Sequence, residues 1–296
     1  MRWDDFRRSS NVEDRRDQPG GGGGGQMGGR GGLGIGAMLV LGLIGWALGI
    51  DPRVLIGGAE MLTGSGPQTQ QAAPQGRAGA PEDKIGQFAA AILAQTEDVW
   101  TAILPRQANL RYEPPSLVLF SGSTQSGCGF AQAQMGPFYC PVDRKLYIDL
   151  QFFQQMQQQL RAGGDFAFAY VIAHEVGHHV ENLLGILPKV QQMQRQATDR
   201  DANALSVRVE LMADCLAGVW AHHAEKNWKI LESGDIEEGI NAASAVGDDR
   251  LQKSGRGYAV PDSFTHGSSE QRVRWFSAGL KGGDVGSCNT FQAQRL

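Results

Sequence analysis

The chain has 296 residues, a formal net charge of −4 and four cysteines. This length allows one or two domains. The mildly acidic balance, without a run of basic residues, argues against a nucleic-acid partner.

The first 82 residues differ in composition from the rest of the chain. Residues 1–30 combine mixed charge, a glycine run and few apolar side chains, which predicts a disordered arm. Residues 31–50 carry no charged side chain and are long enough to cross a hydrocarbon core of about 30 Å, so they predict one transmembrane helix. Residues 51–82 are rich in Gly, Pro, Gln and Ala and predict a flexible linker.

The arginines predict an orientation for this anchor. Residues 1–30 contain six Arg, whereas residues 51–80 contain only Arg53 and Arg77. By the positive-inside rule, the N-terminus is expected in the cytoplasm and the domain that follows the linker on the periplasmic side of the inner membrane. A cleaved signal peptide is the alternative, but the segment before the apolar stretch is long for one.

Residues 83–296 predict one α+β domain that is dominated by helices and contains a small sheet. Apolar periodicity and turn residues place strands at 117–120 and 146–150. Helices are predicted at 84–104, 152–161, 166–184, 189–200, 203–228, 235–246 and 268–280. We expect Asp165 to cap the helix that begins at 166, and Gly185 to end it.

The pattern His174-Glu175-Val176-Gly177-His178 lies inside the predicted helix 166–184. Histidines four residues apart share a helix face and can bind one zinc ion, with Glu175 in reach of a water on that ion. The alternative is two histidines that are hydrogen-bonded in an ordinary buried helix. The apolar flanks favour the metal, because buried charge is costly without a compensating cation.

A later helix offers a third zinc ligand. A metzincin would carry Gly at 181 and His at 184, but these positions hold Glu181 and Leu184, which excludes that class. Glu210 and Asp214 share one helical face. Glu210 can bind zinc, and Asp214 can accept the free ring N–H of a ligand, most plausibly His174. A solvated acidic face is the alternative, which the apolar neighbours disfavour.

The remaining histidines offer one further candidate. His266 lies in a loop before the helix at 268–280, and could stabilise a developing oxyanion. An ordinary surface histidine is the alternative. His179 is rotated away from His178 on the helix, and His222 and His223 are expected at the surface.

Four cysteines suit an exported domain, where disulfides form. Cys128 and Cys140 flank a glycine-containing loop and are expected to pair, which leaves Cys215 and Cys288 to pair across the domain. Free buried thiols are the alternative. No C-x-x-C spacing indicates a structural zinc site.

Several segments together resemble one bacterial family, the Putative neutral zinc metallopeptidases, which are membrane-anchored proteins with a gluzincin-type site. The resemblance rests on residues 1–3, 11–16, 135–141, 147–150, 174–178, 210–214, 247–251 and the His266 segment. It implies His174, His178 and Glu210 as ligands of Zn²⁺ and Glu175 as general base. It also implies a sheet edge beside the cleft, where an extended peptide could add as a strand.

The segment from Phe264 to Arg272 is also similar to a T-H-P-x-x-x-x-R signature of membrane zinc endopeptidases, whose His and Arg lie near the substrate cleft. This similarity makes Arg272, with His266, a candidate for stabilising the oxyanion. Gly267 stands where that signature has Pro, which predicts a softer loop.

The expected function is a membrane-anchored zinc peptidase acting on polypeptides, in which Glu175 takes a proton from the attacking water and passes it to the leaving amine. Two alternatives stay open: a zinc-stabilised binding module without useful turnover, and an envelope scaffold whose N-terminal arm binds a partner. A structural zinc site has no need of a general base, so Glu175 favours the enzyme. The oligomeric state is open.

Overall fold

The computed structural model describes residues 1–18 and 76–296. The predicted transmembrane helix at 31–50 lies outside the described residues, as do residues 19–30 of the predicted arm and 51–75 of the predicted linker. Among the helices in the two described ranges, none combines the length and the apolar character needed to cross a bilayer. The membrane helix therefore stays a prediction.

Eight α-helices dominate the described part of the chain, as expected for a helix-dominated α+β domain. They are α1 (Lys84–Ala108), α2 (Gln151–Gln159), α3 (Asp165–Leu183), α4 (Ile186–Gln194), α5 (Asp199–Trp228), α6 (Asp235–Ala245), α7 (Asp248–Arg256) and α8 (Ser269–Gly282). The longest, α5, contacts both α3 and α8. Its Leu216 and Trp220 are fully buried in the main core.

A five-stranded mixed sheet completes the fold. Its strands are β1 (Val12–Asp14), β2 (Arg77–Ala78), β3 (Ser116–Phe120), β6 (Phe138–Cys140) and β7 (Lys145–Asp149), and a separate hairpin holds β4 (Ser123–Ser126) and β5 (Gly129–Gln132). The order of the strands in the sheet is β2-β1-β3-β7-β6. The predicted strands at 117–120 and 146–150 are thus confirmed as β3 and β7, which pair in parallel. The edge strand β6 contacts α3.

Side chains alternate across the two central strands, as the pleat requires. Leu117, Leu119, Leu146 and Ile148 face the main core. Val118, Phe120 and Tyr147 form a smaller cluster with Cys140. One face of the sheet therefore packs on the helices that carry the histidines, and the other closes a minor core.

The N-terminal residues belong to the folded domain, so the prediction of a disordered arm is wrong for residues 1–18. Trp3 is buried, packs edge-to-face on Phe88 and donates from its indole N–H to Asp165 at 3.0 Å. β1 lies in the sheet between β2 and β3. Composition predicts disorder for a segment that must build its own core, but this one buries its few apolar residues against the rest of the domain.

Strands β1 and β2 pair although residues 19–75, which lie outside the described residues, separate them in the sequence. Glu13 pairs with Ala78, and the Gly76 N–H donates to the Glu13 carboxylate at 2.8 Å. Arg77 and Ala78 are therefore strand rather than linker. The predicted orientation of the anchor rests on residues outside the described ranges and stays a prediction.

Two predicted helix boundaries are also corrected. The residue before α3 is Gly164, not Asp165, and the Glu238 carboxylate accepts the Phe166 N–H at 3.1 Å in place of a local cap. Gly185 ends α3 as predicted, with φ 72°, but α4 restarts at Ile186 rather than 189. Pro188 is tolerated there because the N–H groups of the first helical turn have no intrahelical acceptor. The N–H that proline lacks therefore costs no helical hydrogen bond.

Both expected disulfides are present. Cys128 and Cys140 connect the β4–β5 hairpin to β6, and Cys215 and Cys288 connect α5 to the C-terminal residues. The second bond begins one residue after Asp214, so it fixes the helix that carries the candidate third ligand. Disulfides of this kind form and persist in oxidising compartments.

Candidate metal centre

The candidate ligands of α3 and α5 converge on one point. The Nε2 atom of His174 lies 3.2 Å from one Glu210 carboxylate oxygen, and the Nε2 atom of His178 lies 3.5 Å from the other. One ligand atom from each of the three residues lies within 4.8 Å of the other two. The three predicted ligands are therefore brought together across two helices.

Gly177 explains how closely the two helices approach. A Cβ atom at this position would lie 2.9 Å from the Ala213 carbonyl oxygen and 3.0 Å from the Ala213 Cα. Such contacts are too close for a side chain, so only glycine allows α3 to rest on the backbone of α5 at this level. Glu210 precedes Ala213 by about one turn, and Asp214 follows it directly.

His174 is held by a buried network on the side away from Glu210. Its Nδ1 atom lies 2.9 Å from Asp214 Oδ1, as the sequence predicted. Arg272 donates to both Asp214 oxygens, at 2.8 and 2.9 Å, and the Tyr170 hydroxyl donates to Oδ1. Burial alone raises the pKa of Asp214, but Arg272 and His174 lower it below its ordinary value. Asp214 is therefore an ionised acceptor that fixes the His174 ring.

His178 is held by its own helix. Its Nδ1 atom lies 2.8 Å from Glu181 Oε2, one turn further along α3. Glu181 is fully buried, and within the described residues its other carboxylate oxygen has no hydrogen-bond partner. Burial, opposed by the His178 imidazole, raises the pKa of Glu181 to about 7. Both histidines thus direct Nδ1 to a carboxylate, which leaves Nε2 to bind a metal ion.

Glu175 lies beside these ligands but outside their hydrogen bonds. Its side chain is 7% exposed, and burial raises its pKa, against the charges of His174 and His178. No residue in the described ranges donates a hydrogen bond to its carboxylate. The group is therefore available to a water or a substrate.

The donor set and the charge balance fit a divalent cation. With both imidazoles neutral, Glu175, Glu181, Glu210 and Asp214 offer four carboxylates and Arg272 offers one compensating guanidinium. In the metal-free site, burial raises the pKa of Glu210, but the protonated His266 and His178 imidazoles lower it well below its ordinary value. A bound cation would take the place of this positive charge. Two imidazole nitrogens and one carboxylate are a zinc donor set of the kind found in catalytic sites, which keep a fourth position for water.

Asp248 at the start of α7 holds the His266 loop. One Asp248 oxygen accepts the backbone N–H groups of Thr265, His266 and Gly267 at 2.8, 2.7 and 3.0 Å. Its other oxygen lies 3.3 Å from His266 Nδ1. Burial lowers the pKa of His266, but Glu210 and Asp248 raise it above its ordinary value. The half-exposed imidazole therefore borders the ligand cluster with a fixed ring orientation.

Gly267 shows why this loop is not soft, contrary to the prediction. Its φ is 94°, which proline cannot adopt. Its N–H, which proline lacks, donates to Asp248. The likeness to the T-H-P-x-x-x-x-R signature therefore fails at this residue, and Asp248 supplies the rigidity.

The profile of the family described as Putative neutral zinc metallopeptidase matches residues 1–291. The chain belongs to this family. It is 49% identical over 297 residues to "Uncharacterized protein YpfJ" of Escherichia coli (strain K12), covering 98% of this chain and 99% of that protein. It is 40% identical over 260 residues to "Uncharacterized protein Rv2575" of Mycobacterium tuberculosis, covering 84% of this chain and 85% of that protein. No solved structure matches the chain significantly.

Arg272 is 4% exposed and packs behind His174, where it donates to Asp214, the Tyr170 hydroxyl and the Val246 carbonyl oxygen. Its guanidinium is occupied by these acceptors, and through Asp214 it helps to orient the His174 ring. Its predicted role at the oxyanion stays a prediction.

The other histidines lie away from the ligands. His179 faces the opposite way, as expected, and contacts the Tyr139 hydroxyl and the Glu113 carbonyl oxygen. His222 and His223 are half-buried rather than simply exposed, with ring nitrogens near the carbonyl oxygens of Leu280 and Gly283. They support the end of α8.

Sequence reasoning missed three residues of the site. Tyr170 precedes His174 by four residues and Glu181 follows His178 by three, so helical spacing could have placed both beside the ligands. Asp248 is far from His266 in sequence, and only the fold brings it under that loop.

Proposed function

We propose that this protein is a zinc-dependent peptidase that hydrolyses peptide bonds in polypeptide substrates. The observation that carries the proposal is the Glu175 carboxylate, which is buried beside the three ligands yet accepts no hydrogen bond from the described residues. A site that only stabilised the fold would not need such a group. The family assignment supports the same reading.

His174, His178 and Glu210 would hold the zinc ion. When bound, zinc acidifies a water toward a pKa of about 7 and polarises the substrate carbonyl. Glu175 takes the proton of the attacking water and delivers it to the leaving amine. His266, fixed by Asp248, donates from Nε2 to the developing oxyanion.

The two disulfides support an oxidising, extracytoplasmic compartment for the domain. Membrane attachment through residues 31–50 is part of the proposal, under one condition. The β1–β2 pairing requires residues 18 and 76 to lie on the same side of the membrane.

The decisive experiment compares Glu175→Gln with the wild type on an unfolded protein substrate. Glu175→Gln should bind zinc stoichiometrically, because Glu175 is not a ligand, and should lose at least about a hundredfold in kcat/KM. Zinc content is measured on the same samples. Glu237→Gln on the exposed face of α6 is the matched control and should retain full activity.

Unchanged hydrolysis in Glu175→Gln would refute the mechanism. Zinc-dependent stability in a wild type that cleaves nothing would instead favour the alternative, a zinc-stabilised binding or scaffold protein.

A further inference from the structure

A groove near the candidate metal centre is lined by both charged and apolar side chains. It has a volume of about 570 Å³ and lies between the first half of α5, the start of α8, the segment before His266 and the C-terminal residues. We call it the α5–α8 groove. Its lining includes buried Val207 and Phe264, so part of its wall is apolar.

Four arginines line the α5–α8 groove: Arg200, Arg208, Arg274 and Arg295. Two acidic side chains, Asp262 and Glu270, accompany them. The terminal carboxylate of Leu296 also lines the groove and accepts from Arg274, so four positive charges face three negative ones. The groove thus keeps a positive excess, although the chain as a whole has a net charge of −4. The arginines come from three separate parts of the sequence, so no basic run announced them.

The acidic residues do not neutralise all four cations. Glu270 accepts from Arg274 at 2.8 Å and lies 3.8 Å from Arg295, and Asp262 lies 3.3 Å from Arg200. Arg208 donates only to the Thr290 carbonyl oxygen, and no carboxylate of the described residues lies within 4 Å of its guanidinium. Arg208 is therefore a cation that can bind an anionic group.

The groove continues the face of α5 that carries the candidate ligand Glu210. Asn203 and Val207 line it, and Glu210 and Asp214 follow at the same helical spacing. Val207 and Glu210 are neighbours on that face, so the groove begins about one helical turn from the candidate ligand. A polypeptide long enough to reach past the His266 loop can therefore contact both the candidate metal site and the groove.

We propose that the α5–α8 groove binds an acidic segment of the polypeptide substrate and so directs cleavage to chains that carry Asp or Glu beside the scissile bond. This inference rests on the proposed peptidase function, because the acidic segment is a substrate only if the protein cleaves polypeptides. Charge complementarity selects the acidic segment, and Val207 and Phe264 add a place for an apolar side chain next to it.

Binding is tested in the Glu175→Gln protein, so that turnover does not interfere. The probes are a short fluorescent peptide rich in Glu and its counterpart with Gln at the same positions. At low salt the Glu peptide should bind about tenfold more tightly, and high salt should remove most of the difference. Fluorescence anisotropy measures both affinities.

Arg208→Gln should weaken binding of the Glu peptide about threefold to fivefold and leave the Gln peptide unchanged. Arg208 also donates to the Thr290 carbonyl oxygen, so its substitution changes a contact within the fold. The double variant Arg200→Gln with Arg295→Gln removes two groove charges at exposed positions, where the fold is less affected. Arg144→Gln, an exposed arginine outside the groove, removes the same charge as a control. In the active enzyme, Arg208→Gln should raise KM for acidic substrates with little change in kcat.

Equal binding of the two peptides, together with Glu175-dependent proteolysis, overturns the groove assignment and leaves the peptidase intact. Preferential binding of the Glu peptide that depends on Arg208, without any Glu175-dependent proteolysis, supports the groove and overturns the enzyme. Arginine-dependent binding to phosphatidylglycerol vesicles with no preference between the peptides also overturns the proposal, in favour of a lipid surface.

Discussion

Two ionic clusters of this protein differ in how their charge is balanced. The metal-site cluster consists of Glu175, Glu181, Glu210 and Asp214 with Arg272, and has three more carboxylates than guanidinium groups when the imidazoles are neutral. The sheet-edge cluster consists of Glu13, Asp14 and Asp83 with Arg15, Arg16 and Lys145, and its charges cancel.

The sheet-edge cluster satisfies itself. Arg15 donates to Glu13 at 2.8 Å, and Lys145 donates to the other Glu13 oxygen at 2.9 Å. Burial alone raises the pKa of Glu13, but Arg15, the Gly76 N–H and Lys145 lower it to about 2. In the metal-site cluster, burial lowers the pKa of His174 and His178, but the neighbouring carboxylates raise it above its ordinary value, so without a metal the imidazoles take up protons. A bound dication would replace these protons, whereas the charges of the sheet-edge cluster already cancel.

The largest expected effect is that of metal removal. Zinc at a free concentration about a thousandfold above its Kd should stabilise the fold by about 4 kcal/mol, because it binds the native site. Thermal unfolding with zinc and after chelation measures the shift. Glu13→Gln should keep the shift, whereas Glu210→Gln should lose most of it. A melting temperature that is the same with zinc and after chelation would contradict the comparison.

The next effect comes from within the metal-site cluster. Asp214→Asn leaves the Arg272 charge buried without its anion, so the zinc-free protein should lose about 3 kcal/mol of unfolding free energy. The variant should also bind zinc about tenfold to a hundredfold more weakly, because His174 loses its fixed orientation. Urea denaturation and zinc competition measure the two losses. Asp199→Asn, exposed on the same helix, should change neither by much.

The smallest effect belongs to the sheet edge. The pKa of Glu13 is lowered from 4.5 to about 2 on folding, so its stabilisation is present above about pH 4.5 and is lost as the pH falls toward 2. Glu13→Gln should cost about 2 kcal/mol near neutral pH. The difference from the wild type should shrink at about pH 3 in urea denaturation. A difference independent of pH would show that the charge of Glu13 is not what stabilises β1.

Local spacing predicted the parts of the site that lie on single helices. His174, Glu175 and His178 follow from one motif, and Glu210 and Asp214 follow from their shared face, because a helix fixes the relative position of residues three or four apart. Seven of the eight described helices were predicted for the same reason, and α7 was missed. The pairing of the four cysteines was also correct, since one close pair left a single partner for each remaining thiol.

Contacts between distant segments were not predictable in this way. Arg272 carries no local sign that it turns inward to Asp214, and Asp248 carries none that it holds His266. β1 was missed because its stability comes from pairing with β2 and β3 rather than from its own composition. The four arginines of the α5–α8 groove are separated in sequence, so their combined charge exists only in the fold.

The sequence by itself determined the candidate metal ligands, the candidate general base and most of the helical framework, because these depend on periodicities within single segments. The tertiary structure decided which charges face one another, that residues 1–18 complete the sheet, and that both flanks of residues 19–75 lie together. Those features depend on energies of pairing between segments far apart in the chain, which no local pattern encodes.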